Sequence, residues 1–331
     1  MKRSNALVTG TTSGLGYEAA RLLAAQGYRQ IIVTGRRMSR AQETAAQLSA
    51  ESTTPVFTPL ELDLDSPTSV QSAIAEVMRL GRPIDFLLLN AGMVGGKKRV
   101  LTAAGIEADQ APLIGHHQLT VGLLGAGLLG PSARIVIAGA EPARGDVPMF
   151  KYTDVATFAA THYHGDRTAA IEALVRSGPN VKYEPNRAYA DAKLMVAWWA
   201  AALARRLPSG MAVYAVAPGS APATKASRNA SPALKWVFIP LVKVIPGMSQ
   251  TPEVAARRYL QASEFGTEVS GQFFASAPKK LTGPMEAMHH PHLHDRANQE
   301  AAWQAVVKVS GVDYSSATPG SSVSEAAPGG R

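Results

Sequence analysis

Tyr189 and Lys193 are the two side chains whose chemistry and spacing best suit proton transfer. They are four residues apart, so they lie on the same face of a helix. A free phenol, with a pKa of about 10, is a weak acid at neutral pH. A neighbouring ammonium group stabilises the phenolate and lowers that pKa, so that the phenol can exchange a proton with a reacting oxygen. Taken alone, the spacing also fits two side chains that face solvent.

A glycine-rich segment near the N-terminus adds a second signal. It reads TGTTSGLG from Thr9 to Gly16, after a short apolar run and before a helical pattern. In such a segment Gly10 permits a tight turn, Gly14 lets the backbone approach a pyrophosphate, and Gly16 lets the helix pack on the strand. The N-terminus of the following helix attracts phosphate. The sequence therefore predicts a dinucleotide site that includes Gly10, Thr12, Ser13, Gly14, Leu15 and Gly16.

The residues after the second apolar run distinguish between the two nicotinamide dinucleotides. NAD sites carry an acidic residue here, which binds the ribose 2′-hydroxyl, whereas arginine suits a 2′-phosphate. Residues 34–37 read TGRR and contain no acid. Arg36 and Arg37 therefore favour NADP over NAD, the alternative being two surface arginines at the end of a strand.

Apolar runs and helical patterns alternate along most of the chain. We predict strands at 6–9, 30–34, 56–60, 85–89, 134–138 and 211–216, and helices at 15–26, 41–50, 68–79, 168–176 and from 187 onwards. Continuous apolar strands are typical of a sheet buried on both faces. The alternation of strand and helix predicts an α/β fold, a Rossmann-type doubly wound parallel sheet.

With Leu89-Asn90-Ala91-Gly92 and the YADAK segment at 189–193, the glycine segment resembles the short-chain dehydrogenase/reductase family. The resemblance covers about residues 5–275 and is greatest to the retinol dehydrogenase and protochlorophyllide reductase-like branch. It implies an NADP-dependent oxidoreductase that transfers hydride between nicotinamide and an apolar carbonyl, alcohol or enone-type substrate. Tyr189 would be the proton donor in reduction and the acceptor in oxidation.

The same resemblance assigns further cofactor contacts. Lys193 would hold the nicotinamide ribose, and Asp63, with Leu64 beside it, would bind the adenine amino group. The other residues that it implies are a turn lining the cofactor and a segment at the carboxamide: Asn90, Ala91 and Gly92, and Pro218 and Gly219.

Two positions depart from the family's pattern. Ala140 stands where the family has a serine that donates a hydrogen bond to the reacting oxygen, and loss of one such donor costs on the order of 10²–10³ in rate. Pro112 stands where the family has an asparagine that positions a water beside the lysine, and proline there predicts a kink or a helix start.

These losses leave three interpretations open. Tyr189 and Lys193 suffice for an activated substrate, or the protein binds NADP without turnover as a sensor or partner-binding protein, or a hydroxyl of the following insertion replaces the serine. The hydroxyls available for the last are Tyr152, Thr153, Thr157, Thr161 and Tyr163.

The domain prediction is a single dinucleotide-binding domain over 1–280, with an insertion at 141–186 before the catalytic helix and a lid at 221–250. Residues 281–314 are predicted to form a C-terminal extension and 315–331 a disordered tail. By resemblance, such an insertion covers the usual dimer surface, which favours a monomer. The alternative is a dimer or tetramer with Trp198 and Trp199 in the interface.

Composition narrows the class of partner. The chain has 331 residues, a formal net charge of +8 and no cysteine, which excludes disulfides and cysteine-ligated metals. The basic residues form no aromatic-interleaved stripe, so we expect a small-molecule partner and no nucleic acid. We expect no metal at the histidines of 289–294, no transmembrane segment and a cytoplasmic location, with peripheral membrane contact through the lid left open.

Overall fold

The computed structural model describes residues 4–52, 56–93, 95–221 and 249–314. Its strands are β1 (Asn5–Val8), β2 (Gln30–Gly35), β3 (Phe57–Glu61), β4 (Ile84–Leu89), β5 (Leu129–Ala138), β6 (Ala212–Val216), β7 (Phe273–Ser276) and β8 (Met285–Ala287). They form one sheet in the order β3-β2-β1-β4-β5-β6-β7-β8. All neighbours pair in parallel except β7 and β8, which are antiparallel.

The α-helices of the described residues are α1 (Gly14–Ala25), α2 (Met38–Glu51), α3 (Pro67–Leu80), α4 (Ala111–Gly125), α5 (Val155–His162), α6 (Arg167–Arg176), α7 (Pro185–Ala204), α8 (Pro252–Ser263) and α9 (Arg296–Ser310). A short 3-10 helix over Glu141–Arg144 follows β5. Local signals set several of these boundaries. The Ser66 side chain caps α3 by accepting from Ser69 N–H, and Gly81 ends that helix with a φ of 67°, a left-handed conformation that favours glycine.

Successive residues of the central strands contribute to two apolar cores, one on each face of the sheet. Leu7, Leu87 and Ile135 belong to one core. Their neighbours Val8, Leu88 and Val136 belong to the other. The continuous apolar runs therefore reflect burial on both faces, and the predicted doubly wound fold is confirmed, with strand boundaries shifted by up to five residues.

The insertion at 141–186 contains the 3-10 helix, α5 and α6. Its first residues bind to segments near β6 and β7. The fully buried Arg144 guanidinium donates from Nη1 to the carbonyl oxygens of Ala277 and Lys280, both at 2.9 Å. Glu141 forms a buried ion pair with Arg258 of α8 at 3.3 Å. The start of the insertion is therefore joined to the segments that follow β6 and β7.

Residues 281–314, predicted as an extension, add to both the sheet and the core. β8 pairs with β7, and α9 packs against α7. Trp303 of α9 is fully buried and stacks on Trp199, with ring centroids 6.4 Å apart. The Trp198 indole N–H donates to His292 O at 2.8 Å. Both tryptophans of α7 are thus covered within one chain.

Two predictions fall largely outside the described residues. Of the predicted lid at 221–250, the structure describes 221, 249 and 250. The predicted tail at 315–331 lies entirely outside.

Candidate active site

A cavity of about 690 Å³ lies at the carboxyl ends of the parallel strands, where α/β sheets bind their ligands. We call it the main cavity. Most predicted site residues line it: Gly10, Thr12, Ser13, Gly14, Leu15, Arg36, Arg37, Asp63, Leu64, Asn90, Ala91, Gly92, Tyr189, Lys193 and Pro218. Gly16 and Gly219 do not line it. The cavity also contains residues that sequence analysis missed, among them Arg40, Asp65 and Tyr259.

The glycine segment forms the floor of the main cavity. Gly10 has a φ of 71° and Gly14 a φ of 64°. A Cβ on Gly10 would lie 2.8 Å from the Cα of Ala91, and one on Gly16 would lie 2.6 Å from the Asn90 amide nitrogen. Side chains at these positions would therefore push the loop away from β4. Gly16 acts behind the loop, which explains why it does not line the cavity.

Asn90 ties the glycine loop to the end of β4. Its amide nitrogen Nδ2 donates to Thr9 O at 3.0 Å, and its backbone N–H donates to the Thr9 hydroxyl at 2.8 Å. That hydroxyl also accepts from Ala91 N–H at 2.9 Å. The turn therefore fixes the distance between the first and fourth strands at the cavity.

Three arginines border the end of the main cavity next to β2: Arg36, Arg37 and Arg40. The Arg36 side chain is 72% exposed and its Nη2 lies 4.0 Å from Asp65 Oδ2. Arg40 pairs with Glu43, one helical turn away. The residues present fit a dinucleotide, because the glycines leave room for backbone contact at one end and guanidinium groups are available for a phosphate at the other.

Tyr189 and Lys193 both project from α7 into the main cavity, as their spacing predicts. Lys193 Nζ donates to Ala138 O at the end of β5, at 3.0 Å, and lies 5.7 Å from the centroid of the Tyr189 ring. Burial lowers the pKa of Lys193 to about 8, although the charge of Asp109 partly opposes this effect. The Phe150 ring packs edge-on against Tyr189 at 6.1 Å.

The protein's own groups shift Tyr189 in the direction opposite to the expected one. Burial raises the pKa of its phenol, and the charges of Glu141 and Asp109 raise it further. Lowering the pKa of Tyr189 therefore requires positive charge inside the main cavity.

The structure shows how Pro112 and Ala140 fit the fold. Pro112 lies in the first turn of α4, which begins at Ala111, so the expected helix start occurs there. Its ring lines the main cavity. Ala140 is buried directly before the 3-10 helix.

None of the five hydroxyls proposed from the insertion lines the main cavity. Thr153 donates to Asp191 Oδ2 at 2.8 Å, and Tyr163 donates to Pro179 O at 2.6 Å. Tyr259 of α8 does line the cavity. It is 1% exposed, and its hydroxyl has no hydrogen-bond partner among the described residues. Burial raises the pKa of Tyr259, and the charge of the nearby Tyr189 raises it further.

The remaining predictions concern metals and membranes. Within the described ranges, no group of three or more histidine, cysteine, aspartate or glutamate side chains is arranged to hold a metal ion. Instead, His292 and His294 bond through Nε2 to the carbonyl oxygens of Ala143 and Met288, both at 2.9 Å. No helix in the described part of the chain combines the length and apolarity needed to cross a membrane.

Comparison with known proteins agrees with this geometry. Residues 4–110 match the family model for short chain dehydrogenases. The oxidoreductase fscI of Fusarium equiseti is 29% identical over 221 residues, which are 64% of this chain and 85% of that one. A chloroplastic protochlorophyllide reductase of Cucumis sativus is 25% identical over 329 residues, covering 94% of this chain and 79% of that one. For three other curated relatives, the match with this chain covers only 64%, 54% and 51% of the relative's length.

Among solved structures, a short-chain dehydrogenase of Burkholderia cenocepacia J2315 in complex with NADP superposes with a TM-score of 0.57. It is 23% identical, and the match covers 82% of this chain and 94% of that one. This similarity supports the fold.

Proposed function

The chain belongs to the short-chain dehydrogenase/reductase family, and from that premise we propose that it is an NADP-dependent oxidoreductase acting on an apolar carbonyl, alcohol or enone-type substrate. One observation carries the proposal. The Tyr189–Lys193 pair lines the same cavity as the glycine loop and the arginines after β2. A protein that only binds the dinucleotide has no need of a buried phenol beside a buried amine.

The residues of the chain divide the chemistry between them. The bound nicotinamide supplies or accepts the hydride. In reduction, Tyr189 gives its proton to the substrate oxygen as negative charge develops there, and in oxidation its phenolate takes that proton back. Lys193, held by the Ala138 carbonyl, places a positive charge beside Tyr189. In the protein alone, burial and the charges of Glu141 and Asp109 raise the pKa of the phenol, so lowering it requires the further positive charge of an oxidised nicotinamide.

NADP is the proposed cofactor because of the groups around the end of β2. Arg36, Arg37 and Arg40 border the main cavity there. An NAD site would present a carboxylate to the ribose at the end of this strand. Guanidinium groups instead match the geometry and charge of a 2′-phosphate.

We assign the missing serine's task to Tyr259. Tyr259 lines the main cavity, its hydroxyl has no hydrogen-bond partner in the described residues, and the charge of Tyr189 contributes to its raised pKa. A preorganised hydroxyl donor of this kind stabilises the oxygen on which charge develops. The insertion hydroxyls are directed elsewhere.

An apolar substrate is supported by the surroundings of the phenol. The Phe150 ring packs against Tyr189, and the apolar Met93 and Pro112 line the main cavity together with Tyr189. A relative that matches almost the whole chain is named protochlorophyllide reductase.

We propose a monomer. The α7 face that carries Trp198 and Trp199 is covered by α9 and by the segment just before it. Trp199 stacks on Trp303, Trp198 donates to His292 O, and both indoles are at most 2% exposed. A dimer built on that face would have to displace α9.

The test is NADPH oxidation by the purified protein over a panel of apolar ketones, aldehydes, quinones and enones. Tyr189→Phe is compared with Tyr163→Phe, a matched control whose hydroxyl is bonded to Pro179 O outside the main cavity. We expect turnover in the wild type and the control, and loss of turnover with retained NADPH binding in Tyr189→Phe. Equal turnover in all three proteins would refute the role of Tyr189.

The alternative is an NADP-binding sensor or partner-binding protein, favoured by Ala140 and Pro112. Tight NADPH binding without turnover on any member of the panel would support it. Turnover that depends on Tyr189 would exclude it.

A further inference from the structure

A small second cavity lies next to the Lys193 amine. Its volume is about 20 Å³, and its lining includes Asp109, Pro112, His116, Ala138 and Lys193. A single water needs roughly 10–15 Å³ and two to four polar partners. We call this space the lysine cavity, and one water fits it.

Asp109 brings an unused acceptor to the lysine cavity. The residue is 7% exposed, and its Oδ1 accepts from Gly95 N–H at 2.5 Å. Its Oδ2 is buried and has no hydrogen-bond partner within the described residues. Leaving a carboxylate oxygen buried and unpaired is costly, so a donor in the cavity would stabilise it.

Lys193 brings the complementary donors. An ammonium group has three N–H donors, and Ala138 O is the one hydrogen-bond acceptor that the described residues give it. Asp109 and Lys193 also sense each other's charge: Asp109 raises the pKa of Lys193 against the larger effect of burial, and Lys193 lowers that of Asp109. A water between them would accept from one and donate to the other.

Glu107 continues this arrangement away from the main cavity. It is 3% exposed; its Oε2 accepts from Asp109 N–H at 2.9 Å, and its Oε1 has no partner in the part of the chain described. It lines a third cavity of about 420 Å³, which we call the rear cavity. The exposed Lys97 and Lys98 also line it, so this cavity reaches the surface.

The charged and titratable groups around the two carboxylates suit proton exchange near neutral pH. Burial raises the pKa of Asp109 to about 6, and burial followed by the charge of Asp109 raises that of Glu107 to about 7. Tyr183, whose pKa is raised to about 12 by burial and by these carboxylates, stays neutral. His116 bonds to the Thr9 hydroxyl at 2.9 Å, and burial lowers its pKa to about 3, so it is uncharged.

We propose that Asp109 and Glu107 form a proton path that links Lys193, through one water in the lysine cavity, to solvent at the rear cavity. The proposal rests on the proposed function. Each carbonyl reduced consumes one proton, which leaves from the Tyr189–Lys193 pair. Asp109 returns it through the water. The carboxyl groups of Glu107 and Asp109 are not bonded to each other, so a side-chain rotation or a second water carries the next proton from Glu107 to Asp109. Solvent reprotonates Glu107, so every group ends as it began. The two carboxylates act through Lys193 and are positioning residues.

The test uses Asp109→Asn, Glu107→Gln and the double variant. Both amides keep the size of the side chain and a hydrogen-bond acceptor, but neither exchanges a proton near neutral pH. Asp191→Asn is the matched control, because Asp191 is a buried carboxylate of α7 whose oxygens accept from Thr153 and which lines none of the three cavities.

We expect each path variant to lower kcat by about tenfold or more, with KM and the Kd for NADPH unchanged. The double variant should lose no more than the worse single variant, since both residues serve one path. The solvent deuterium isotope effect on kcat should rise in the path variants and stay constant in Asp191→Asn. A merely structural role would change the Kd and the melting temperature instead.

A readout without turnover separates this proposal from the proposed function. Asp109→Asn removes the charge of Asp109 and should lower the pKa of Lys193. NMR of the side-chain nitrogen of Lys193 measures that pKa. An active wild type whose path variants keep its kcat and pH profile would overturn the path alone, as would an unchanged Lys193 pKa in Asp109→Asn. A wild type that turns over no substrate would overturn the proposed function and, with it, the proton path.

Discussion

Arg36→Asp should weaken NADPH binding by roughly two orders of magnitude and leave NADH binding nearly unchanged. Arg36 is 72% exposed, so its charge acts through a medium close to bulk water. Two unit charges about 4 Å apart then interact by about 1 kcal/mol. A phosphate monoester carries about −1.5 to −2 at neutral pH, and the substitution changes the side chain by two charge units. The product is roughly 3 kcal/mol, or about 10²-fold in Kd.

The assay is titration of both dinucleotides by calorimetry or by nicotinamide fluorescence, at low and at physiological salt. Arg29→Asp is the control, since it changes the net charge equally but lies at the opposite end of β2, about 20 Å away along the strand and beyond the screening length. Equal losses for NADPH and NADH in Arg36→Asp would refute the assignment of Arg36 to the 2′-phosphate. So would an equal loss of NADPH affinity in Arg29→Asp.

Three further outcomes are expected. Tyr259→Phe should lower kcat on the order of 10²-fold with NADPH binding intact, whereas a kcat equal to that of Tyr163→Phe would remove Tyr259 from the site. Burial raises the pKa of Asp191 to about 7, so the folded state binds more protons than the unfolded state between about pH 4 and pH 7. The stability of the wild type therefore falls as the pH rises through that window. The melting temperature of Asp191→Asn, measured relative to the wild type, should increase over the same window, and a constant difference would contradict the raised pKa. Trp303→Ala should lower the free energy of unfolding by about 3–5 kcal/mol, and light scattering should find the wild type monomeric. A dimeric wild type, together with unchanged stability of the Trp303→Ala variant, would contradict the role given to α9.

The parts of the site that sequence alone predicts are those encoded by neighbouring residues. Gly10, Gly14 and Gly16 act within one turn, and Tyr189 and Lys193 meet through helical periodicity. Local backbone geometry determines each of these two arrangements, so spacing is enough to predict each one, whereas the sheet brings them to one cavity. Strand and helix types followed from continuous apolar runs and from the 3.6-residue repeat, whereas their ends depend on caps such as Ser66 that only the three-dimensional contacts confirm.

The parts that sequence did not reveal depend on distant contacts. Tyr259 lines the same cavity as Tyr189 because α8 packs beside α1 and against β5 and β6, and nothing in the spacing of the two residues indicates it. No local pattern marks Asp109, because the family has its polar group at the position of Pro112, three residues further along. The apolar positions around Trp303 predict a buried helix within the extension at 281–314, and α9 is that helix.

The covering of α7 by α9 has a consequence for how the protein is made. α7 ends at Ala204 and α9 begins at Arg296. The ribosome must therefore synthesise the intervening segment before the indole of Trp199 can pack against Trp303. During that interval a growing chain exposes an aromatic surface of the kind that chaperones bind and that drives aggregation. Final burial of this core therefore occurs late in synthesis. A chain that ends just before α9 would contain all eight strands but would expose the apolar side of α7.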